Sequence, residues 1–359
     1  MIPTIYTGIS TILFYKVISD DHAEDIIDEW KCNNDVVIFH EKTHIGSVEY
    51  KNLEYEDRGF IVTLFKSCDA PWGVYVYVSP ALLMKQSTPN GLLPSRRKEC
   101  KSLITHIDKL LRKTKSGLRC KAMKLSQMSI DLRLDLHNSW MPLTYLDVIR
   151  KGFLPRHYQD RPFGESDTRC AASVVNNHAC RFSCKTVDLL VGDAKAFGNI
   201  DNGFRWTEGA IPDKTELCFQ IRLSRRAIRR NVKGKTLKKH SDALASLAGQ
   251  SEQLIANLLD RMKLLEGRFV CYAYAKKMIS EIKRKGIKRK LTELTNLIHQ
   301  GASLTEASET VQQMYGIDNR RRNWLFRKYK KLGISPVILP DSSKDDLPPL
   351  DMFLKKQSV

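Results

Sequence analysis

The sequence predicts an α+β fold: a mainly antiparallel sheet with flanking helices, followed by a basic α-helical C-terminal region. Two patterns and one change of pattern predict it. Through the first two thirds of the chain, apolar residues recur at period two or in short runs bounded by turn residues, which is how strands read. Helical segments interrupt those runs without a regular strand-helix-strand alternation, which argues against a doubly wound parallel sheet. From about Lys235 the apolar spacing changes to steps of three and four.

Taken in order, strands are expected at 11–17, 35–40, 60–65, 74–79, 128–137, 187–191 and 216–223, and helices at 22–31, 95–114 and 144–151. In the C-terminal region Leu244, Leu247, Ser251, Leu254, Ile255, Leu258, Met262 and Leu265 form one stripe and predict one long helix. Further helices are expected at 272–285 and 288–299. Ser303-Leu-Thr-Glu306 reads as a capping box, in which each side chain satisfies an orphan backbone N–H of the other residue. Leu304, Ala307, Val311 and Met314 continue that helix, and Gly316 is placed to stop it. A short helix follows at 319–332. Beyond Ile334, four prolines among Ser, Asp and Lys read as a mobile tail. The expected division is therefore an α+β domain at 1–234, a basic helical region with a helix-turn-helix-like end at 235–334, and a tail at 335–359.

Composition narrows the function. The 359 residues include 59 Lys+Arg against 40 Asp+Glu, a formal charge of +19. Residues 221–331 alone hold 27 basic and 9 acidic side chains, so they carry +18 of that total. With 42% hydrophobic residues the chain can bury a core, which argues against wholesale disorder. The first residues lack the basic stretch and cleavage pattern of a secretory signal, and no run approaches the roughly 18 apolar residues of a membrane span. Nine cysteines without C-x-x-C pairs fit a reducing compartment, hence a cytoplasmic protein. A positive field concentrated in one third of the chain points to polyanions as partners.

The basic region supplies the candidate contacts. At 319–332 the residues Arg320, Trp324, Arg327 and Lys331 step along one helix face, with Leu325, Tyr329 and Leu332 opposite. A capped amphipathic helix followed by a basic one is what a helix-turn-helix reader needs, although a solvated basic face would look the same. Two more runs lie in this third: Arg222 to Arg230, containing Arg222, Arg225, Arg226, Arg229 and Arg230, and Lys283-Arg-Lys-Gly-Ile-Lys-Arg-Lys290. The second reads as a phosphate patch or, in a eukaryotic chain, a nuclear-localisation signal.

For catalysis, the informative strands are those whose faces differ. Asp131, Arg133, Asp135 and His137 share one face, opposite Leu132, Leu134 and Leu136. Oxygen and imidazole ligands in such a row could hold Mg²⁺ or Mn²⁺ against a phosphodiester; a surface strand with compensating charges is the alternative. Tyr75 and Tyr77 oppose Val74, Val76 and Val78, so they could stack on bases, or one could act as a nucleophile. Cys170, His178, Cys180 and Cys184 match no standard zinc spacing. The chain has no phosphate loop, Rossmann glycine pattern or Ser-His-Asp signature.

Five segments stand out together: the Met-Ile-Pro-Thr start, Gly73-Val-Tyr-Val-Tyr-Val-Ser-Pro-Ala81, Arg133-Leu-Asp135, Arg181-Phe-Ser-Cys-Lys-Thr-Val-Asp-Leu189 and Cys218-Phe-Gln-Ile-Arg-Leu-Ser-Arg-Arg226. Together they resemble the gene II/gene X replication proteins of filamentous phages, which nick one DNA strand and start rolling-circle synthesis. The segments cover most of the chain in the family's order. Arg133, Asp135, Lys185, Asp188 and Arg222 match the pattern. Tyr75 and Tyr77 replace its Glu and Lys, Ser87 falls near its His, Ser183 takes the place of its Tyr, and Gln220 that of its Glu.

The resemblance implies a replication initiator of a phage, prophage or plasmid in a bacterial host, with origin DNA, single- or double-stranded, and host replication proteins as partners. Cleavage would be transesterification, with Asp135 and His137 holding Mg²⁺ or Mn²⁺, Lys185 stabilising phosphate charge, and Tyr75 or Tyr77 as nucleophile. The missing Tyr, His and Glu equally suit a non-catalytic DNA-binding regulator or degenerate initiator. An RNA-binding basic protein is the third class.

Overall fold

The computed structural model describes residues 4–32, 36–39, 47–68, 70–84, 92–114, 117–136, 141–161, 179–193, 216–232, 239–339 and 346–354. In chain order the elements are β1 (Thr4–Val17), α1 (Asp20–Lys31), β2 (Val36–Phe39), β3 (Val48–Asn52), β4 (Phe60–Lys66), β5 (Gly73–Val78), α2 (Pro80–Leu83), α3 (Arg97–Lys113), β6 (Lys124–Asp135), α4 (Met141–Arg150), β7 (Gln159–Arg161), β8 (Ala179–Ser183), β9 (Val187–Asp193) and β10 (Glu216–Ser224). After β10 come α5 (Arg225–Asn231), α6 (His240–Ala248), α7 (Ser251–Arg261), α8 (Tyr272–Ser280), α9 (Lys285–His299), α10 (Leu304–Tyr315), α11 (Asn319–Lys331) and α12 (Asp351–Leu354). The fold is α+β, as the sequence predicts.

The ten described strands form one sheet in the order β2-β3-β4-β5-β1-β6-β10-β9-β8-β7, and every neighbouring pair is antiparallel. Alternation gives the sheet two unlike faces. One face is apolar: Val62, Val76, Phe14, Met128, Ile130, Ile221 and Leu189 are all at most 2% exposed. Helices cover that face. His240, the first residue of α6, meets the Phe14 ring edge-on at 5.2 Å, and Leu244, Leu247, Ile255 and Leu258 join the same core cluster. The opposite face is polar, carrying Ser129, Asp131, Arg133, Gln220 and Arg222 on β6 and β10.

Three expectations change. The single long helix through 244–265 is two helices, with Gly249 and Gln250 between them. The Gln250 side chain folds back to donate to the Ser246 carbonyl at 3.1 Å, and both halves keep the apolar stripe facing the core. Their packing on the sheet also means that residue 234 does not divide two cores. The mobile tail is corrected as well. Ser335, Val337, Ile338 and Leu339 are at most 2% exposed, and Leu347, Leu350 and Phe353 pack into the same core. Bridges pair Ile334 with Arg268, Leu339 with Cys271 and Leu347 with Phe269, so Pro336, Pro348 and Pro349 lie within packed segments.

The C-terminal helices follow their sequence signals closely. At the start of α10 the Ser303 hydroxyl accepts from Glu306 N–H, while Glu306 accepts from Ser303 N–H at 2.9 Å. Gly316 ends the helix in the left-handed region at φ 57, where a side chain would be strained. The Tyr329 and Thr295 hydroxyls lie 2.7 Å apart, and both reach the Leu291 carbonyl, tying α11 to α9. Leu304 N–H donates to Lys151 O at 2.7 Å, fixing α10 against the end of α4.

Candidate nucleic-acid interface

The polar face of the sheet can be read row by row from the strand registers. Toward one end lie Tyr75 on β5 and Tyr15 on β1, paired directly; next come Tyr77, Leu13, Gln127 and Ser224 on successive paired positions of β5, β1, β6 and β10. The following rows carry Thr11, Ser129, Arg222, Asp188 and Ser183, and then Asp131, Gln220, Leu190 and Arg181. At the far end Tyr6 is paired with Arg133, which is paired with Cys218; Thr4 is paired with Asp135 and Glu216.

A β-bulge in β1 between Ile9 and Thr11 turns Ser10 toward this face. Its hydroxyl donates to Asp131 at 2.6 Å, and Gln220 donates to the same carboxylate at 3.1 Å. The Arg133 guanidinium reaches the other oxygen at 3.3 Å. Asp131 is 1% exposed, and the surrounding Ser10, Arg133 and Gln220 are also buried. Two neutral donors share one oxygen of this carboxylate, and the Arg133 guanidinium and the Cys218 thiol, at 3.9 Å, approach the other. Among the described residues no group of three or more His, Cys, Asp or Glu side chains converges. The Asp135 side chain and His137 lie outside the described residues.

Further along, Arg181 donates to Asp188 at 2.8 Å, and the Ser183 hydroxyl is buried without a hydrogen-bond partner. The tyrosines form a ladder of their own: Tyr15 and Tyr75 rings are 4.9 Å apart, and Tyr75 stacks on Tyr77 at 6.5 Å. Burial, and secondarily the neighbouring Tyr15, raise the Tyr75 phenol above its ordinary value. A phenol harder to ionise is a poorer nucleophile.

The registers decide which sequence candidates meet. Tyr77 aligns through Leu13 with Gln127, and Asp135 is eight residues farther along β6, roughly 26 Å at strand rise. Tyr75 is farther still. Lys185 is exposed in the turn joining β8 to β9, and Ser224 N–H bonds Thr186 O beside it, so it sits where β10 passes into α5. Tyr75, Tyr77 and Lys185 therefore belong to the sheet end opposite Asp135. The tyrosine that register does place beside Arg133 and Asp135 is Tyr6, half-buried on β1. Sequence reasoning passed over it because strand 1 was expected to begin at 11; the Thr4, Tyr6 and Gly8 alternation with Ile5, Thr7 and Ile9 was its only signal.

The basic helices are displayed as a polyanion surface requires. On α5, Arg225, Arg226, Arg229 and Arg230 are all exposed while Ala227 and Ile228 are at most 3% exposed. None of the four arginines forms an ion pair among the described residues. On α11, capped by Asp318 accepting from Arg321 N–H at 2.7 Å, Arg320, Arg327 and Lys331 are exposed. Leu325, Phe326 and Tyr329 face inward; Leu325 and Tyr329 are expected members of the stripe, Phe326 joins them, and Leu332 is half-buried. Trp324 is half-buried with the Lys328 ammonium 4.4 Å over its ring, and Arg322 turns in to lie over Phe153 and to donate to Gln312. Arg222, on β10, is half-buried on the polar sheet face apart from the α5 arginines. Of the zinc-spaced residues, Cys170 and His178 lie outside the described residues.

No family model matches this chain, and no curated protein matches it. Among solved structures it is similar to a rolling circle replication initiator protein from Geobacillus stearothermophilus, at 8% identity and a TM-score of 0.31, over 72% of this chain and 86% of that one. A likeness of that size decides neither fold nor activity. Among the described residues no helix is long and apolar enough to cross a membrane.

Proposed function

We propose that this chain is a DNA-binding protein of the replication-initiator type, gripping the phosphate backbone through α5 and α11. The observation that carries this is α5 itself: four arginines all point to solvent and two apolar residues point to the sheet. A short helix with no compensating carboxylates is stable in that state only by virtue of its seat on β10, and its charge is left for an external anion. Arg320, Arg327 and Lys331 add cations on α11, and the Tyr15, Tyr75 and Tyr77 ladder offers ring faces to unpaired bases.

The test is fluorescence anisotropy with single-stranded DNA, duplex DNA and RNA across a salt series. Replacing Arg225, Arg226, Arg229 and Arg230 by Ala should lower the slope of log K against log salt for single strands by roughly 3, about 0.7 per lost phosphate contact. An unchanged slope, or a clear preference for RNA, overturns the reading.

One observation favours a second reading, strand cleavage: Tyr6 shares its face and its end of the sheet with Arg133 and Asp135. In that reaction Tyr6 Oη bonds the phosphorus and the O3′ leaves as a free 3′-hydroxyl, with Asp135 and His137 taking Mg²⁺ or Mn²⁺. Supercoiled plasmid incubated with either ion should then be relaxed and bear a covalent adduct, both lost in Tyr6→Phe but kept in Tyr75→Phe and Tyr77→Phe. Absence of relaxation and adduct leaves the binding role alone.

A further inference from the structure

A different part of the molecule carries a second concentration of unpaired charge. Along α8 and the turn into α9, Lys276, Lys277, Lys283, Arg284, Lys285 and Arg289 are exposed, with Glu281 the only carboxylate between Lys276 and Lys290. None of these six cations forms an ion pair among the described residues. Their placement breaks local rules. Arg284 caps α9 and Lys285 opens it, so cations stand at the positive end of the helix, where carboxylates are preferred and none occurs in the first turn. Lys285 and Arg289 repel each other at i,i+4. Gly286, in the same turn, would carry a Cβ into open space, so no internal contact asks for glycine there, although glycine weakens a helix.

Local rules broken in this way concentrate at functional sites. Two of the nearby rings are covered: Tyr272 is stacked by His299 at 3.9 Å, and Tyr315 lies under Arg289 and Lys290 at 5.7 and 5.4 Å. Tyr274 on α8 is exposed, so the surface presents charge with a single open ring and no row of rings like the tyrosine ladder of the sheet. The segment that leads into α8 also meets the sheet away from α5. That helix leaves β10 at the Ser224–Gln127 end of the sheet, whereas the segment preceding α8 meets the other half, where Thr7 and Leu265 line one pocket. Thr7 is paired with Leu132, five residues or about 17 Å along β6 from Gln127.

We propose that the α8–α9 surface is a second, separate nucleic-acid site, that it takes the phosphate backbone of duplex DNA, and that one chain can therefore hold a duplex there while α5 and the sheet hold a single strand. The proposal rests on the DNA-binding reading above.

The experiment uses the full chain and two measurements: the salt slope of duplex binding, and capture of a fluorescent duplex by protein loaded on an immobilised single-stranded oligonucleotide. Lys283→Ala/Arg284→Ala/Lys285→Ala should lower the duplex slope by about 2.7, roughly 0.9 per contact, and abolish duplex capture while single-strand binding persists. A control with equal charge removed from α3, Lys98→Ala/Lys101→Ala/Lys109→Ala, should leave both measurements unchanged. Thermal melts matching the parent show that the variants are folded. An unchanged duplex slope, or equal loss in the control, overturns the second site while single-strand binding through α5 still stands. Failure of the parent chain to bind any DNA instead overturns the reading on which the site rests.

Discussion

At the scale of residues, the decisive side chain is Asp131. The alternation along 131–134 was legible in the sequence, but both of its faces are buried, Leu132 and Leu134 each at 1% exposed and Asp131 equally so. What the alternation could not show is that Ser10 and Gln220, 121 and 89 residues away in the chain, would converge on Asp131. A bulge and two strand registers bring them there, and neither has a local signature. A carboxylate so enclosed serves to neutralise Arg133. Asp131→Ala would remove one charged partner of that buried guanidinium, and breaking a buried pair costs about 3–5 kcal/mol. Urea unfolding should show a loss of that order; a change below about 1 kcal/mol would mean that Arg133 finds another partner at once.

At the scale of elements, the signals that held were those with local physical causes. Ser303, Glu306 and Gly316 act within one turn of their own positions, so the boundaries of α10 were readable. The helix through 244–265 was not, because an apolar stripe continues across Gly249 and Gln250 and periodicity alone does not register the break. Short strands such as the edge strand β7 and its neighbour β8 were missed for a related reason: three to five residues carry too few alternations to count. The capping box permits a test. Ser303→Ala should cost about 1 kcal/mol of stability. Hydrogen bonds from the Ser303 backbone and hydroxyl hold the Glu306 carboxyl below its ordinary value. A depressed carboxyl favours the folded state when ionised, so its contribution is complete above the ordinary glutamate range near about 4.3 and fades as pH falls through the lowered value. The stability difference between the parent and Glu306→Gln should therefore shrink on acidification. A difference that stays constant down to pH 3 would show that the carboxylate is not what the cap uses.

At the scale of the whole molecule, charge and core divide the chain differently. Nearly all of the net positive charge lies in 221–331, as the sequence showed, but one core cluster holds residues from β1 to Phe353. The last segment makes this measurable. Proline, serine and aspartate made 335–359 look like a tail, yet Val337, Ile338, Leu339, Leu347, Leu350 and Phe353 are each at most 4% exposed. The Tyr145 hydroxyl donates to Pro348 O at 2.9 Å, and its ring meets Phe353 edge-on at 6.1 Å. Burying an aliphatic or aromatic side chain contributes roughly 1.5–3 kcal/mol, so these six together are worth about 9 kcal/mol or more. That equals the net stability of an ordinary domain, about 5–15 kcal/mol. A chain ending at Ile334 should thus fail to give a cooperative thermal transition, and Phe353→Ala in the intact chain should cost about 3–5 kcal/mol. If the shortened chain melts at the temperature of the parent and Phe353→Ala changes nothing, the segment is a tail after all, and the sheet and its helices are sufficient to hold the basic surfaces in place.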